Sequence, residues 1–297
     1  MKKNTTILLA MALCFQAAFA DTKPIYKIWD GRDMPGNVSM LPESQREDGK
    51  EFRPNVVRTP YLEFFKAESE GPTGLVIVCP GGGYSMMAYQ HEGIEIAEAL
   101  VKNGISAAVL AYRVPENRDG ALMDAQRAIR YVRAHAKDFN INPDKVAIMG
   151  FSAGANLSAR ASTQFDAVAY KAADAIDKFS AKPNLTGLIY PAYCDNQNFE
   201  KRWYGIRSDE QAYDKKYALA PDLKISKDTP PAFLVETQPD PYVDASIAYY
   251  LALKKAGIPA CLHLFDRGKH GYGLRNKTDL VSQWFDLYVK WLKHNGL

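Results

Sequence analysis

From Thr59 to the end of the chain, short apolar runs alternate with segments of helical periodicity. This alternation is typical of strands that pair in parallel through intervening helices, and the almost continuous apolar character of most runs is typical of strands buried on both faces. The pattern therefore predicts an α/β fold with a mostly parallel central sheet and helices on both faces. The expected strands are 61–66, 75–79, 106–112, 145–149, 186–190, 232–236 and 260–265.

Two segments have the residue spacing of packed helices. Apolar residues recur three or four positions apart between Leu122 and Ala136, and again between Leu280 and Trp291. A chain of 297 residues is long enough to bury the core of one large α/β domain. We place this domain at residues 59–297, behind an N-terminal arm at 21–58. The polar and aromatic segment 195–229 is either a small cap over the functional site or a crossover connection.

The first twenty residues have the pattern of a secretory signal peptide. Lys2 and Lys3 precede an apolar run from Ile7 to Phe15, and Ala18–Ala20 forms a small-residue cleavage motif before Asp21. The apolar run is too short to span a bilayer comfortably, which disfavours the alternative of a membrane anchor. We therefore expect residues 1–20 to be removed and the mature protein to be secreted or periplasmic.

Charge and cysteine spacing exclude several classes of protein. Removal of the leader, which carries two lysines and no acidic residue, lowers the formal net charge from +3 to +1. Nothing in such a chain attracts nucleic acid. The wide spacing of Cys79, Cys194 and Cys261 fits neither a metal site nor a disulfide framework. Cys79 lies in an apolar run, so we expect a buried structural thiol there rather than a nucleophile.

A G-x-S-x-G motif at Gly150–Gly154 follows the strand expected at 145–149 and precedes the helix-compatible segment 155–161. A nucleophilic serine must project from a sharp turn between strand and helix, and the two glycines provide the space that this turn needs. The G-x-S-x-G pattern also occurs by chance in glycine-bearing turns whose serine has no catalytic role. The strand before the motif and the helix after it favour Ser152 as a nucleophile.

A second glycine motif, Pro80–Tyr84, also follows an expected strand. Successive glycines let bare backbone N–H groups approach a substrate oxygen, so the amides of Gly82, Gly83 and Ala153 are predicted to form an oxyanion hole. A phosphate-binding loop is the competing functional interpretation, but neither Gly-Lys-Ser nor Gly-Lys-Thr follows. A plain flexible turn is the structural alternative.

The general base that activates a serine at neutral pH is expected to be one of the five histidines. His270 is preferred because it lies in a glycine-rich loop just beyond the last expected strand. His135 falls in a helix, His263 in a strand and His294 at the chain end. His91 opens a helix close after the glycine motif, where it either lines the pocket or has a helix-start or surface role.

The acidic partner of the histidine is expected between Ser152 and His270, because α/β-hydrolase chains carry the triad in the order serine, acid, histidine. Asp240 lies a few residues beyond the strand expected at 232–236, in a proline-flanked loop. Asp244 is the alternative, although it is also placed to cap the helix that begins near it.

With these residues placed, the chain resembles the acetyl xylan esterase-like carbohydrate esterases of the alpha/beta-hydrolase superfamily, from about residue 59 to the C-terminus. The residues that carry the resemblance are Pro80–Tyr84, His91–Gly93, Tyr112–Arg113, Asp124–Ala128, Gly150–Gly154 and His270–Gly273. The resemblance implies an alpha/beta-hydrolase fold, a triad of Ser152, Asp240 and His270, and no cofactor or metal. It also implies ester substrates on plant or algal polysaccharides.

The function that these residues favour is hydrolysis of short acyl esters, acetyl first, on carbohydrates. The secretory leader favours a polymer-derived substrate, and Tyr84, His91 and Trp203 are the candidate substrate-binding residues near the two glycine motifs and in the aromatic segment. A serine peptidase of the prolyl-oligopeptidase kind is disfavoured because no propeller-sized region precedes the catalytic domain. A non-catalytic binding protein is disfavoured because all three members of the triad are present.

Overall fold

The computed structural model describes residues 23–29, 34–47, 50–205 and 217–297. Its centre is an eight-stranded sheet with the strand order β1-β2-β4-β3-β5-β6-β7-β8. The strands are β1 Ile25–Lys27, β2 Tyr61–Phe65, β3 Thr73–Cys79, β4 Ser106–Ala111, β5 Ile141–Phe151, β6 Leu185–Ile189, β7 Ala232–Thr237 and β8 Ala260–Phe265. β1 and β2 pair antiparallel with their neighbours, and the remaining strands are parallel. The expected α/β fold class is confirmed.

Helices connect the strands and cover the sheet. They are α1 Glu95–Lys102, α2 Arg118–Ala134, α3 Ala136–Phe139, α4 Ala153–Thr163, α5 Asn196–Tyr204, α6 Val243–Lys255 and α7 Trp284–His294. Successive residues of a strand point to opposite faces of the sheet. In β7, Phe233 packs against Tyr288 of α7, whereas Leu234 belongs to the apolar cluster that contains Tyr249 of α6. α6 and α7 therefore cover opposite faces, as the apolar character of both strand faces predicted.

The N-terminal segment packs on the core through residues that the alternation pattern did not single out. β1 adds a three-residue edge strand to β2. The Trp29 indole N–H donates to Oδ1 of Asp124, 2.8 Å away, inside the protein. The same carboxylate accepts from Arg113, whose Nη2 lies 2.8 Å from Oδ1, and both side chains of this ion pair are almost completely buried. Asp124 thus joins the N-terminal segment to α2 and to the end of β4.

Parts of the sequence predictions fall on residues outside the described ranges. The leader at 1–20 is one, and residues 206–216 of the segment 195–229 are another. In the remainder of that segment, α5 follows an Asp195 N-cap, and Asp195 forms an isolated β-bridge with Leu219. Within the described ranges, no helix combines the length and apolar character that crossing a membrane requires.

Candidate active site

Ser152 lies at the bend between β5 and α4. Its backbone has φ 51° and ψ −119°, a conformation that a non-glycine residue adopts only under strain. A Cβ atom on Gly150 would lie 2.1 Å from the carbonyl oxygen of Gly154, and one on Gly154 would lie 2.1 Å from the carbonyl oxygen of Cys79. Both flanking positions therefore require glycine, and the bend holds the Ser152 side chain at the carboxyl edge of the sheet.

The structure brings His270 and Asp240 to this bend from two loops. His270 Nε2 lies 2.7 Å from Ser152 Oγ, and His270 Nδ1 lies 2.7 Å from Asp240 Oδ2. Asp240 follows β7, and its Oδ1 also accepts the backbone N–H of Tyr242 at 2.8 Å. The Asp240 side chain is completely buried, whereas the His270 side chain is 28% exposed. Serine, imidazole and carboxylate form one hydrogen-bond chain whose serine end faces the solvent.

The glycine loop after β3 stands directly beside Ser152. A Cβ atom on Gly81 would lie 2.9 Å from the Ser152 Cβ. Gly82 and Gly83 have φ values of 129° and 65°, which favour glycine. Among the described residues, no acceptor pairs with the backbone N–H groups of Gly82, Gly83 or Ala153. These amides are free to donate to a ligand.

A buried pair that sequence reasoning did not identify connects this loop to the His270 loop. Glu92 Oε2 accepts the N–H of Gly81 at 2.8 Å, and Glu92 Oε1 accepts the hydroxyl of Tyr190 at 2.8 Å. The Tyr190 hydroxyl in turn accepts the N–H of Gly273 at 3.0 Å. The Tyr190 ring meets the His270 ring edge to face, with centroids 5.0 Å apart. Burial raises the pKa of the Glu92 carboxyl group.

The structure places two of the three candidate substrate-binding residues side by side, since the Tyr84 and Trp203 rings meet edge to face with centroids 6.1 Å apart. Tyr84 is completely buried and its hydroxyl donates to Asn156, so this ring supports the glycine loop from inside. His91 is also buried, and its ring nitrogen Nε2 lies 3.7 Å from Glu92 Oε1, behind the site. Trp203 is half buried at the rim, where the guanidinium of Arg202 stacks on it at 4.5 Å.

Two tyrosines that the sequence did not single out border the space between His270 and the glycine loop. The Tyr242 ring lies 5.1 Å from the His270 ring, and the Tyr193 ring lies 5.4 Å from the Tyr242 ring. The Tyr193 hydroxyl would lie 3.9 Å from a Cβ atom on Gly83. The pair therefore forms an aromatic wall beside His270 and the glycine loop.

The metal-ligating residue types do not cluster in the part of the chain that the structure covers. No group of three or more His, Cys, Asp or Glu residues there is arranged to hold a metal ion. Cys79 and Cys194 are buried and Cys261 is partly buried, and none of these three forms a disulfide. Burial raises the pKa of the Cys79 thiol to about 12, which opposes a nucleophilic role.

Comparison with known proteins identifies relatives of the chain. The BD-FAE family profile matches residues 63–254. An acetylxylan esterase of Xylanibacter ruminicola is 32% identical over 271 residues, which are 88% of this chain and 54% of that protein. Endo-1,4-beta-xylanase B of Butyrivibrio fibrisolvens is 30% identical over 70% of this chain and 34% of that protein. The chain thus spans about half the length of the first relative and a third of the second.

Solved structures give the same fold over nearly the whole chain. The acetyl ester-xyloside bifunctional hydrolase from Caldicellulosiruptor lactoaceticus superimposes with a TM-score of 0.74 and 31% identity, covering 94% of this chain and 99% of that one. The alpha/beta hydrolase MGS-M1 from a deep-sea metagenome library superimposes with a TM-score of 0.61 and 28% identity over 87% of this chain and 97% of that one. The alpha/beta-hydrolase fold that the resemblance implied is confirmed.

Proposed function

This chain belongs to the BD-FAE family, and on that premise we propose that it is a serine esterase that removes short acyl groups, acetyl first, from carbohydrates such as xylan-type polysaccharides. The observation that carries the proposal is the hydrogen-bond chain from Ser152 Oγ through His270 to Asp240, with both distances 2.7 Å. This arrangement of hydroxyl, imidazole and carboxylate is the one that acyl transfer through a serine requires.

In the acylation step, His270 Nε2 takes the Ser152 proton while Oγ attacks the ester carbonyl carbon. The Nδ1–H of His270 donates to Asp240, which fixes the tautomer that leaves Nε2 as an acceptor and stabilises the imidazolium that forms. The imidazolium then gives its proton to the departing sugar oxygen. The result is a free sugar hydroxyl and an acyl group on Ser152.

The developing oxyanion is stabilised by backbone N–H groups. The unpaired amides of Gly82, Gly83 and Ala153 support this role, and the last of these stands at the N-terminus of α4, where the helix dipole favours negative charge.

In the deacylation step, His270 removes a proton from a water molecule that attacks the acyl carbonyl. Ser152 leaves with that proton, and the carboxylic acid is released.

The substrate assignment rests on the relatives and on the aromatic wall. The relatives with the family fold include an acetylxylan esterase and an acetyl ester-xyloside hydrolase. Tyr193 and Tyr242 border the space next to His270, which favours a small acyl group over a long chain. Secretion into the periplasm or the medium, through removal of residues 1–20, belongs to the same proposal because polysaccharide substrates are found outside the cytoplasm.

Acetate release from acetylated xylan tests the proposal. We expect wild-type protein to release acetate and Ser152→Ala to release none above background. Ser85→Ala is the matched control, because the exposed Ser85 hydroxyl, two residues after Gly83, bonds to Glu116 and not to a histidine. Equal loss in both variants would contradict the assignment of Ser152.

Nitrophenyl esters of increasing acyl length test the acyl preference separately. We expect kcat/KM to fall from acetate to octanoate, because the longer chain meets Tyr193 and Tyr242. A preference for octanoate would overturn the short-chain assignment while leaving the serine mechanism intact.

A further inference from the structure

Glu236 is a second acidic residue behind the proposed triad, and the mechanism above does not use it. It lies in β7, four residues before Asp240, and it is completely buried. Its Oε1 accepts the backbone N–H of Thr237 at 2.9 Å, and its Oε2 accepts the hydroxyl of Ser246 from α6 at 3.2 Å. Asp240, on the loop after β7, is close enough for its negative charge to act on the Glu236 carboxyl group.

The surroundings of Glu236 supply no positive charge. Within the described ranges, no Lys, Arg or His forms an ion pair with it. The titratable groups that face it are Asp240 on the loop after β7 and Tyr272 on the His270 loop, and neither is a cation. An ionised carboxylate that is buried without a cation is costly, and such a group takes up a proton instead.

The hydrogen bonds of Asp240 show which of the two acids carries the proton. Asp240 Oδ2 accepts from His270 Nδ1, since Nε2 must stay free to accept from Ser152, and Asp240 Oδ1 accepts the N–H of Tyr242. Asp240 therefore lies against the imidazole that becomes positively charged, whereas Glu236 faces no cation among the described residues. Two neighbouring carboxyl groups share one proton, because two adjacent negative charges repel. The proton therefore belongs to Glu236, the acid without a cation beside it.

We propose that Glu236 is a neutral carboxylic acid that donates a hydrogen bond to Asp240 and so limits how strongly Asp240 attracts the proton of His270. The inference rests on the proposed function, since it treats the same serine, imidazole and carboxylate as a working unit. Glu236 touches neither the reacting atoms nor solvent, which makes it a positioning residue. Burial raises its pKa well above the usual value, and the charge of Asp240 raises it further.

The sign of the effect on His270 separates a neutral from an ionised Glu236. If Glu236 donates a proton, Glu236→Leu leaves Asp240 without that donor, the carboxylate becomes more basic, and the pKa of His270 rises by about one unit. Glu236→Gln keeps an N–H donor and restores the wild-type pKa to within about 0.3 unit. If Glu236 were a carboxylate, both substitutions would remove a negative charge and lower the pKa of His270.

Two spectroscopic measurements on the full chain test the inference. The first is the infrared difference spectrum between wild type and Glu236→Gln at neutral pH, where we expect loss of the carbonyl band of one protonated carboxyl group. The second is NMR titration of His270 after histidine-selective labelling, with the resonance assigned through His270→Gln. Thr237→Val is the matched control, because its hydroxyl is buried beside Glu236 and has no hydrogen-bond partner among the described residues.

Loss of a carboxylate band instead of a protonated one, or a lowered pKa of His270 in Glu236→Gln, would overturn the inference. The infrared comparison decides the question even if Glu236→Leu does not fold. Both measurements are independent of turnover. A wild-type protein that hydrolyses no ester but shows the protonated band would therefore refute the proposed function and leave this inference standing.

Discussion

Replacement of Tyr190 by Phe tests whether the buried Glu92–Tyr190 pair holds the glycine loop and the His270 loop in place. The substitution removes only the hydroxyl, which donates to Glu92 Oε1 at 2.8 Å and accepts the Gly273 N–H at 3.0 Å. Two polar groups then remain buried without those partners. Each unsatisfied group of this kind costs about 1–3 kcal/mol, so the free energy of unfolding should fall by about 2–6 kcal/mol.

The effect on turnover follows from the position of Gly273, three residues after His270. Without the Tyr190 hydroxyl, the His270 loop loses the hydrogen bond that fixes it relative to Gly81. A displacement of about 1 Å at a reacting group can cost ~10²-fold in rate, so we expect kcat to fall by about 10- to 100-fold while KM changes little.

Tyr288→Phe is the matched control for this prediction. Tyr288 is also completely buried, but its hydroxyl has no hydrogen-bond partner among the described residues. Its loss should change the free energy of unfolding by less than about 1 kcal/mol and leave turnover intact. Urea unfolding and nitrophenyl acetate hydrolysis measure both quantities. Equal values for Tyr190→Phe and Tyr288→Phe would refute the reasoning.

Three further predictions follow from the same site. Asp240→Asn should lower kcat by about 10⁴-fold, because the amide favours the wrong imidazole tautomer; a loss below about tenfold in nitrophenyl acetate hydrolysis would contradict this role. Gly154→Ala should prevent normal folding, since its Cβ would lie 2.1 Å from the Cys79 carbonyl oxygen; a native circular dichroism spectrum with wild-type activity would contradict it. Glu236 has a folded-state pKa raised well above 4.5, so its contribution to stability is lost as pH rises from that value through the folded pKa. Glu236→Gln should therefore gain stability relative to wild type as pH rises above 4.5 in urea unfolding, and a difference that stays constant with pH would contradict the shift.

Most of the sheet could be predicted because buried parallel strands are almost continuously apolar. β8 lies at the expected residues 260–265, and the other expected strands overlap those observed. β5 begins earlier than expected, at Ile141, because residues 142–145, a proline among three polar residues, interrupt the apolar pattern although they belong to the strand. β1 was not expected, because a strand of three residues, two of them exposed, is too short to give a periodic signal.

The residues of the proposed triad could be predicted because each follows the end of a strand, and parallel strands end at the same edge of a sheet. Glu92, Tyr190 and Glu236 gave no such signal. Glu92 and Tyr190 are 98 positions apart, and only the closed fold shows that they share a hydrogen bond. The sequence also places Tyr84 next to the glycines without showing that its ring points into the core, where it is completely buried.

Covalent labelling with a fluorophosphonate, followed by peptide mass spectrometry, tests the central claim most directly. The account predicts one label per chain, on Ser152, with labelling slowed strongly in His270→Gln and abolished in Ser152→Ala. A label on another residue, or an unchanged labelling rate in His270→Gln, would contradict activation of Ser152 by His270.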